Sequence, residues 1–259
     1  MPDHPGYQEK KAFFDRMLTV YGRKPVLETL LDDSLECHAL HLAHSNREAG
    51  IVVEIRRRAE ALGLPIKHHS REELSRISRN GKQDQGVALD VICPAFSSVE
   101  DYLSQTGQQA NRRLLALDGI SNPQNLGMII RSAAAGAIDG IILPKKGSAA
   151  LGPLVIKASA GTLYKAPLLL CPSLPDALRQ CQQQGAEICT LEAAAPGSLF
   201  EHRGQGLCVY VLGNETDGVG DEVRNMADTP LSIPMRNGVE SLNVAVTASL
   251  IAYGSYLER

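Results

Sequence analysis

Aromatic residues are scarce. The 259-residue chain has no Trp, four Phe and seven Tyr, which leaves few rings on which splayed nucleic acid bases can stack. It also lacks an excess of positive charge. At a formal net charge of −3, composition supplies no global attraction for RNA or DNA and counts against such a partner unless local basic clusters exist. No apolar run approaches the roughly 18 residues that span a bilayer, and the opening "MPDHPGYQEKKAFFDR" lacks the apolar centre of a signal peptide. These absences predict a soluble, cytoplasmic protein with no membrane contact. The cysteines, Cys37, Cys93, Cys171, Cys181, Cys189 and Cys208, include no C-x-x-C pair. They read as reduced and mostly buried, with neither a disulfide framework nor a metal site expected.

Local basic runs do exist. "RRR" at 56–58, "KHHSR" at 67–71 and "RISRNGK" at 76–82 all lie early in the chain, where a phosphate-binding patch and a solvated helix face account for them equally well. The polar stretch "SSVEDYLSQTGQQANRR", 97 to 113, reads as a linker with at most one short helix. The expected organisation is an extension at 1–16, a small domain at 17–95, a linker at 96–112 and a larger domain at 113–259.

In the smaller part, "VLETLL" and "EAGIVVEIRRRAEALG" have helical spacing, and "ALHLA", "PIKHH" and "GVALDVI" read as short strands. In the larger part, "LLALD", "GIILP", "APLLL", "EICTL", "CVYVLG" and "PLSIP" alternate with helical stretches. Runs this apolar predict a parallel sheet covered on both faces, with ligands gathering at the carboxyl ends of its strands. The fold class is therefore α/β.

Two predicted strand ends carry unusual loops. "LLALDGISNPQNLGMIIRSAAAGA" runs from a strand through Gly, Ser, Asn and Pro into a helix bearing Arg131, and "CVYVLGNETDGVGDEV" places Gly213, Gly218 and Gly220 beyond another strand. Glycines there allow positive φ and close approach of backbone to a ligand. A third segment, "IPMRNGVESLNVAV" from Ile233, sets Ser241 and Asn243 at the start of an apolar helix, where Ser241 suits a helix cap. Asn125, before Leu126, also suits a cap.

Together, "NPQNLGMIIRSA", "LGNETDGVG" and "IPMRNGVESLNVAV" resemble the motifs of the SpoU/TrmH-like RNA 2′-O-ribose methyltransferases of the SPOUT superfamily, over residues 114 to 257. The part before the linker, through "VYGRKPVLETL" and "DQGVALDV", is similar to the ribosomal-protein-like RNA-binding domain that often precedes this catalytic domain. The resemblance implies transfer of a methyl group from S-adenosylmethionine to a ribose 2′-hydroxyl of ribosomal or transfer RNA, with no DNA partner. It further implies a homodimer and a trefoil knot, which pattern reasoning alone would not propose. As catalytic residues it implies Asn125, Arg131, Glu215, Ser241 and Asn243, and for the cofactor Gly213, Ile233 and Leu242. The loop departs from the common pattern at Asn214, Thr216 and Asp217.

Methyl transfer to a hydroxyl requires alignment, deprotonation and a grip on the RNA phosphate. Arg131 is the residue to which the resemblance assigns this work. A guanidinium is ill suited to act as a base, because arginine stays protonated, and well suited to bidentate phosphate binding. Glu215 is placed to fix Arg131 or a nearby backbone group. In the last helix, Ala245, Ala248, Ser249 and Ala252 form a small-residue stripe that fits a dimer contact or packing within the chain. Two other functions stay open: a non-catalytic RNA-binding module, and a nucleotide-dependent Rossmann-type enzyme, for which the G-x-G-x-x-G spacing is absent.

Overall fold

The computed structural model describes residues 10, 11, 13–105 and 111–257. Residues 1–9 and 12 of the expected extension and 106–110 of the expected linker lie outside them. By its contacts the chain divides into two units, Met1–Pro94 with Leu151–Pro153, and Ala95–Ala150 with Leu154–Arg259.

The first unit contains β1 (Met17–Tyr21), α1 (Arg23–Leu30), β2 (Glu36–Ala43), α2 (Ile51–Ala61), β3 (Ile66–His69), α3 (Arg71–Ser78) and β4 (Val87–Ile92). Its sheet runs β1-β4-β2-β3, with β4 antiparallel to both neighbours and β3 parallel to β2. β4 is buried along its whole length, as its unbroken apolar run with a single Asp requires. α2 buries Val52, Ile55 and Ala59 on one face. It ends where Gly63 takes φ +66° and Leu64 N–H reaches Ala59 O at 2.9 Å, the closing bond of a left-handed helix stop. α3 bridges the basic runs at 67–71 and 76–82, with Glu72 and Glu73 between them. Ser70 and Glu73 start it with a reciprocal capping box, and its inward face is mainly Leu74.

The second unit contains β5 (Ser97–Ser98), α4 (Val99–Gln105), β6 (Arg112–Leu117), α5 (Pro123–Ala135), β7 (Gly140–Pro144), α6 (Pro153–Ala158), β8 (Leu168–Cys171), α7 (Leu174–Gln183), β9 (Glu187–Leu191), β10 (Gly197–Ser198), β11 (Leu207–Leu212), α8 (Asp221–Arg224), β12 (Thr229–Ser232) and α9 (Val244–Leu257). The sheet order is β10-β12-β9-β11-β6-β7-β8-β5, and every pairing is parallel. β7 and β11 are buried at every position, as strands covered on both faces should be. The stretch read as a linker carries a strand as well as a helix, because Ser97 and Ser98 pair with Leu169 and Leu170 of β8.

One pairing positions the site. β11 lies directly against β6 with Leu212 opposite Leu117, so the two glycine- and asparagine-bearing loops leave the sheet side by side. α9 then packs on α5. Ala248 and Ala252 are fully buried, and Ser249 Oγ donates to Ser132 Oγ at 2.8 Å. A Cβ on Gly136 would come within 2.7 Å of Ala252 O, so the approach depends on small residues. The small-residue stripe is thus used within the chain. No described helix is long and apolar enough to cross a membrane.

Candidate active site

Three segments meet through their amides and one carboxylate. Asn122, rather than Asn125, caps α5: its Oδ1 accepts from Gln124 N–H at 2.8 Å and Asn125 N–H at 3.3 Å. Asn125 therefore lies inside the first turn, only 6% exposed, with its amide free to serve another purpose. Its Nδ2 donates to Glu215 Oε1, and its Oδ1 accepts from Asn243 Nδ2 at 3.2 Å. Asn243 Nδ2 also donates to Glu215 Oε1, at 3.1 Å.

Asn243 is itself the cap of α9. Its Oδ1 accepts from Ala245 N–H at 2.9 Å, and its carbonyl accepts the first helical bonds, from Val246 and Thr247. The expectation that Ser241 caps this helix is corrected, since Ser241 stands two residues outside it and is exposed. Because Oδ1 is committed to the helix backbone, Nδ2 has to point outward, so capping dictates the orientation of the other half of the amide. Before it, Asn237 and Gly238 take φ +58° and +71° and turn the chain, with β12 ending at Ser232 ahead of Pro234.

The loop after β11 is held by its own backbone. Asn214 N–H and Gly218 N–H exchange bonds with each other's carbonyls at 3.1 and 3.0 Å. Asn214 Oδ1 accepts from Thr216 and Asp217 N–H at 2.6 and 3.0 Å, so Asn214 organises the turn from within. Gly220 N–H donates to Asp118 Oδ2 at 2.8 Å, which fastens the loop to the end of β6. A Cβ on Gly213 would lie 2.1 Å from Gly218 C and 2.2 Å from Val219 N, both backbone atoms. Only glycine fits there. Asn214 and Asp118 were visible in the quoted motifs, but their roles depend on which strand neighbours which.

Beside this network opens a cavity of about 430 Å³, bordered by Gly213, Glu215, Ile233, Ser241 and Leu242, with Glu192, Arg224 and Thr247 also on its wall. All three residues expected to hold a cofactor share this one cavity. Asn125 and Asn243 do not line it and meet it through Glu215. A cavity of about 530 Å³ around Arg112, Asp139 and Gly206 lies at the opposite, amino ends of β6 and β11 and shares none of these residues. The carboxyl-end cavity is where a parallel sheet collects its ligands.

Arg131 is not drawn into the network. It sits six residues beyond Asn125, about 9 Å along the axis and roughly 240° around it, on the exposed face with Gln124 and Met128. Glu215 does not fix it. The carboxylate takes two amide donors instead, and Arg131 forms no hydrogen bond or ion pair among the described residues. The Rossmann alternative also loses ground, because the loop after β11 leads to the four-residue α8 and not to a long helix whose N-terminus could hold a pyrophosphate.

The sequence and fold have known counterparts. The SpoU rRNA Methylase family matches residues 112–253, and the RNA 2′-O ribose methyltransferase substrate binding domain matches residues 19–94. An uncharacterized tRNA/rRNA methyltransferase of Mycobacterium ulcerans is 32% identical over 96% of this chain and 83% of its own length. Another, from Mycolicibacterium vanbaalenii, is 34% identical over 90% of this chain and 74% of its own. The chain belongs to the SpoU family of tRNA/rRNA methyltransferases. In fold it is similar to the SpoU methyltransferase AviRb of Streptomyces viridochromogenes, solved with AdoMet, at a TM-score of 0.63 and 19% identity over 99% of this chain and 94% of that one. An AdoMet-bound rRNA methyltransferase from Sinorhizobium meliloti has the same TM-score at 21% identity, over 98% of this chain and 90% of that one.

Proposed function

We propose that this chain transfers a methyl group from S-adenosylmethionine to a ribose 2′-hydroxyl of ribosomal or transfer RNA in the cytoplasm. The observation that carries the reading is the joining of Asn125, Glu215 and Asn243, from three distant segments, at the rim of the cavity that Gly213, Ile233 and Leu242 line.

The cavity fits the cofactor physically. At Gly213 the wall is bare backbone that a Cβ would disrupt, and the loop's fixed N–H and carbonyl groups offer a rigid surface for an adenosine. S-adenosylmethionine supplies the electrophilic methyl group. The chain's part is positioning and charge. Glu215, held by two amides, is a fixed negative group at the rim, suited to a sulfonium or a ribose hydroxyl. Ser241 offers a hydroxyl on the same wall. Arg131, with its guanidinium in solvent, has the geometry to grip an RNA phosphate in bidentate fashion and stabilise charge as the hydroxyl loses its proton. We assign it that electrostatic role ahead of general base. The first unit is assigned to RNA binding, with Arg23 and the basic runs as contacts; Tyr21, 8% exposed and packed with Ala43, Leu74 and Ala88, belongs to that unit's core instead.

The homodimer and the trefoil knot belong to the same proposal. With the alanine stripe engaged inside the chain, the surface left for a second copy is the exposed apolar set on α5 and α9: Met128, Val246, Tyr253 and Tyr256. Light scattering of the full chain reads this directly, and a monomer at micromolar concentration rules the dimer out.

The deciding experiment follows labelled methyl groups from S-adenosylmethionine into unmodified total RNA and maps the modified riboses. Arg131→Lys keeps the charge and removes the fork, at a loss of about 1.5–3 kcal/mol for a charge-assisted contact, or roughly 10–100-fold in rate. Cofactor binding by calorimetry stays unchanged, since Arg131 does not line the cavity. Substantial retained methylation would refute the bidentate role. RNA binding without any methyl incorporation by the unsubstituted chain would favour the non-catalytic module.

A further inference from the structure

A second convergence of reactive side chains lies away from that cavity. Glu187 and Cys189 alternate along β9 and so project from one face of the sheet. Cys208 and Tyr210 stand opposite them on β11, and Thr229 of β12 stands opposite Cys189. His202, in the connection from β10 to β11, reaches over this face. Its Nε2 lies 3.2 Å from Glu187 Oε2 and 3.8 Å from Cys189 Sγ. The three ligand atoms of Glu187, Cys189 and His202 all fall within 4.8 Å of one another. Cys208 Sγ lies 3.6 Å from Glu187 Oε2 but outside that group of three.

We propose that this cluster is a zinc-binding site, with Glu187, Cys189 and His202 as ligands and the fourth position left to solvent. Tetrahedral zinc, with bonds of about 2.0–2.3 Å, sets its donor atoms roughly 3.4–3.8 Å apart. The two separations from His202 Nε2, 3.2 and 3.8 Å, sit close to that range, and the third stays within 4.8 Å. A thiolate, an imidazole and a carboxylate suit zinc and disfavour magnesium or calcium, which take oxygen ligands.

The surroundings orient the ligands as the outer partners of a metal site do. His202 Nδ1 lies 3.2 Å from Tyr210 OH, and Thr229 Oγ1 donates to Glu187 Oε1 at 2.6 Å. The contact with Tyr210 OH can hold the ring proton on Nδ1, which leaves the Nε2 lone pair for a cation shared with the Glu187 carboxylate. Zinc binding releases the Cys189 thiol proton to solvent. None of the three residues lines the cavity at the carboxyl ends of the strands. The metal would therefore act structurally, tying the segment around His202 to the amino-terminal part of β9.

The test uses the full chain, stripped of metal and titrated with Co²⁺ alone and then with Zn²⁺. The expected result is one equivalent per chain and a thiolate-to-cobalt charge-transfer absorption that zinc abolishes. Cys189→Ser and His202→Gln should remove that absorption, and Cys93→Ser should keep it. Cobalt held by His41, His44, His68 and His69 would give no thiolate band and would survive both substitutions, which overturns the proposal. Failure of the unsubstituted chain to take up either metal at micromolar concentration overturns it equally, whether or not the variants fold.

Discussion

Replacing Asn243 tests the site most sharply, because one side chain both starts a helix and joins the network with Asn125 and Glu215. Asn243→Ala removes the cap on Ala245 N–H, at about 1 kcal/mol. It also removes the two amide donations to Glu215 and Asn125. Asn243 is exposed, so each donation contributes at the low end of the usual 0.5–1.5 kcal/mol. Asn125 Oδ1 is buried, however, and losing its partner adds to the cost. The sum is about 2–3 kcal/mol, or a fall of roughly 4–12 °C in Tm for a unit of this size. Asn243→Ser separates the two functions, since a hydroxyl can still cap the helix but is too short to bridge to Glu215. The serine variant should recover much of the Tm lost by alanine, while both variants transfer methyl groups roughly two- to tenfold more slowly, the rate equivalent of one lost hydrogen bond. Calorimetric melting and labelled methyl transfer, measured side by side, check this. If Asn243→Ser restores both stability and full activity, the residue is only a cap and the network has no part in catalysis.

Gly213→Ala drives a methyl group into the backbone at Gly218 and Val219. Overpacking of about 1–3 kcal/mol should open the 214–218 bridge and weaken S-adenosylmethionine binding by tenfold or more in calorimetry; unchanged affinity would mean the loop does not form the cofactor wall. Acid should weaken the first unit in two stages. Burial and nearby His41 lower the His69 pKa, so below about pH 6.5 the unfolded chain binds the extra proton and stability falls with pH. Burial works against the Asp90 carboxylate, but hydrogen bonds from His41 at 2.9 Å and Thr19 at 2.7 Å outweigh it and hold its pKa low. That contribution is present above about pH 4 and is lost as pH falls through the depressed value. Melting curves of the full chain from pH 8 to pH 3 should show both losses, with His69→Asn removing the first; a flat profile between pH 7 and pH 5 would refute the His69 assignment.

Much of the fold was legible because it depends on local pattern. The apolar runs that became β7, β9 and β11 were recognisable because strands buried on both faces carry no alternation to confuse them with loops. Gly63 marked the end of α2 for a reason local to one backbone angle. α3 escaped notice because a capping box and a single fully buried leucine give little periodicity. β5 was hidden because two serines reveal a strand only through the β8 edge they pair with.

At the site, the motifs showed the residue types but not their partners. Asn125 and Ser241 both suited caps, and only the structure decided that Asn122 caps α5, which frees Asn125, and that Asn243 rather than Ser241 caps α9. The grip of Glu215 on Arg131 failed for the same reason. Which donors reach a carboxylate depends on β11 lying against β6, a pairing of strands about 95 residues apart along the chain. The cysteines, scattered and without metal-like spacing, gave no hint that Glu187, Cys189 and His202 converge, because their approach is set across a sheet and a loop. Sequence by itself determined the class of fold, the elements and the chemical inventory, since propensity, periodicity and turn chemistry act over a few residues. The pairing of strands decided which of those groups meet, and long-range packing leaves no mark on local sequence.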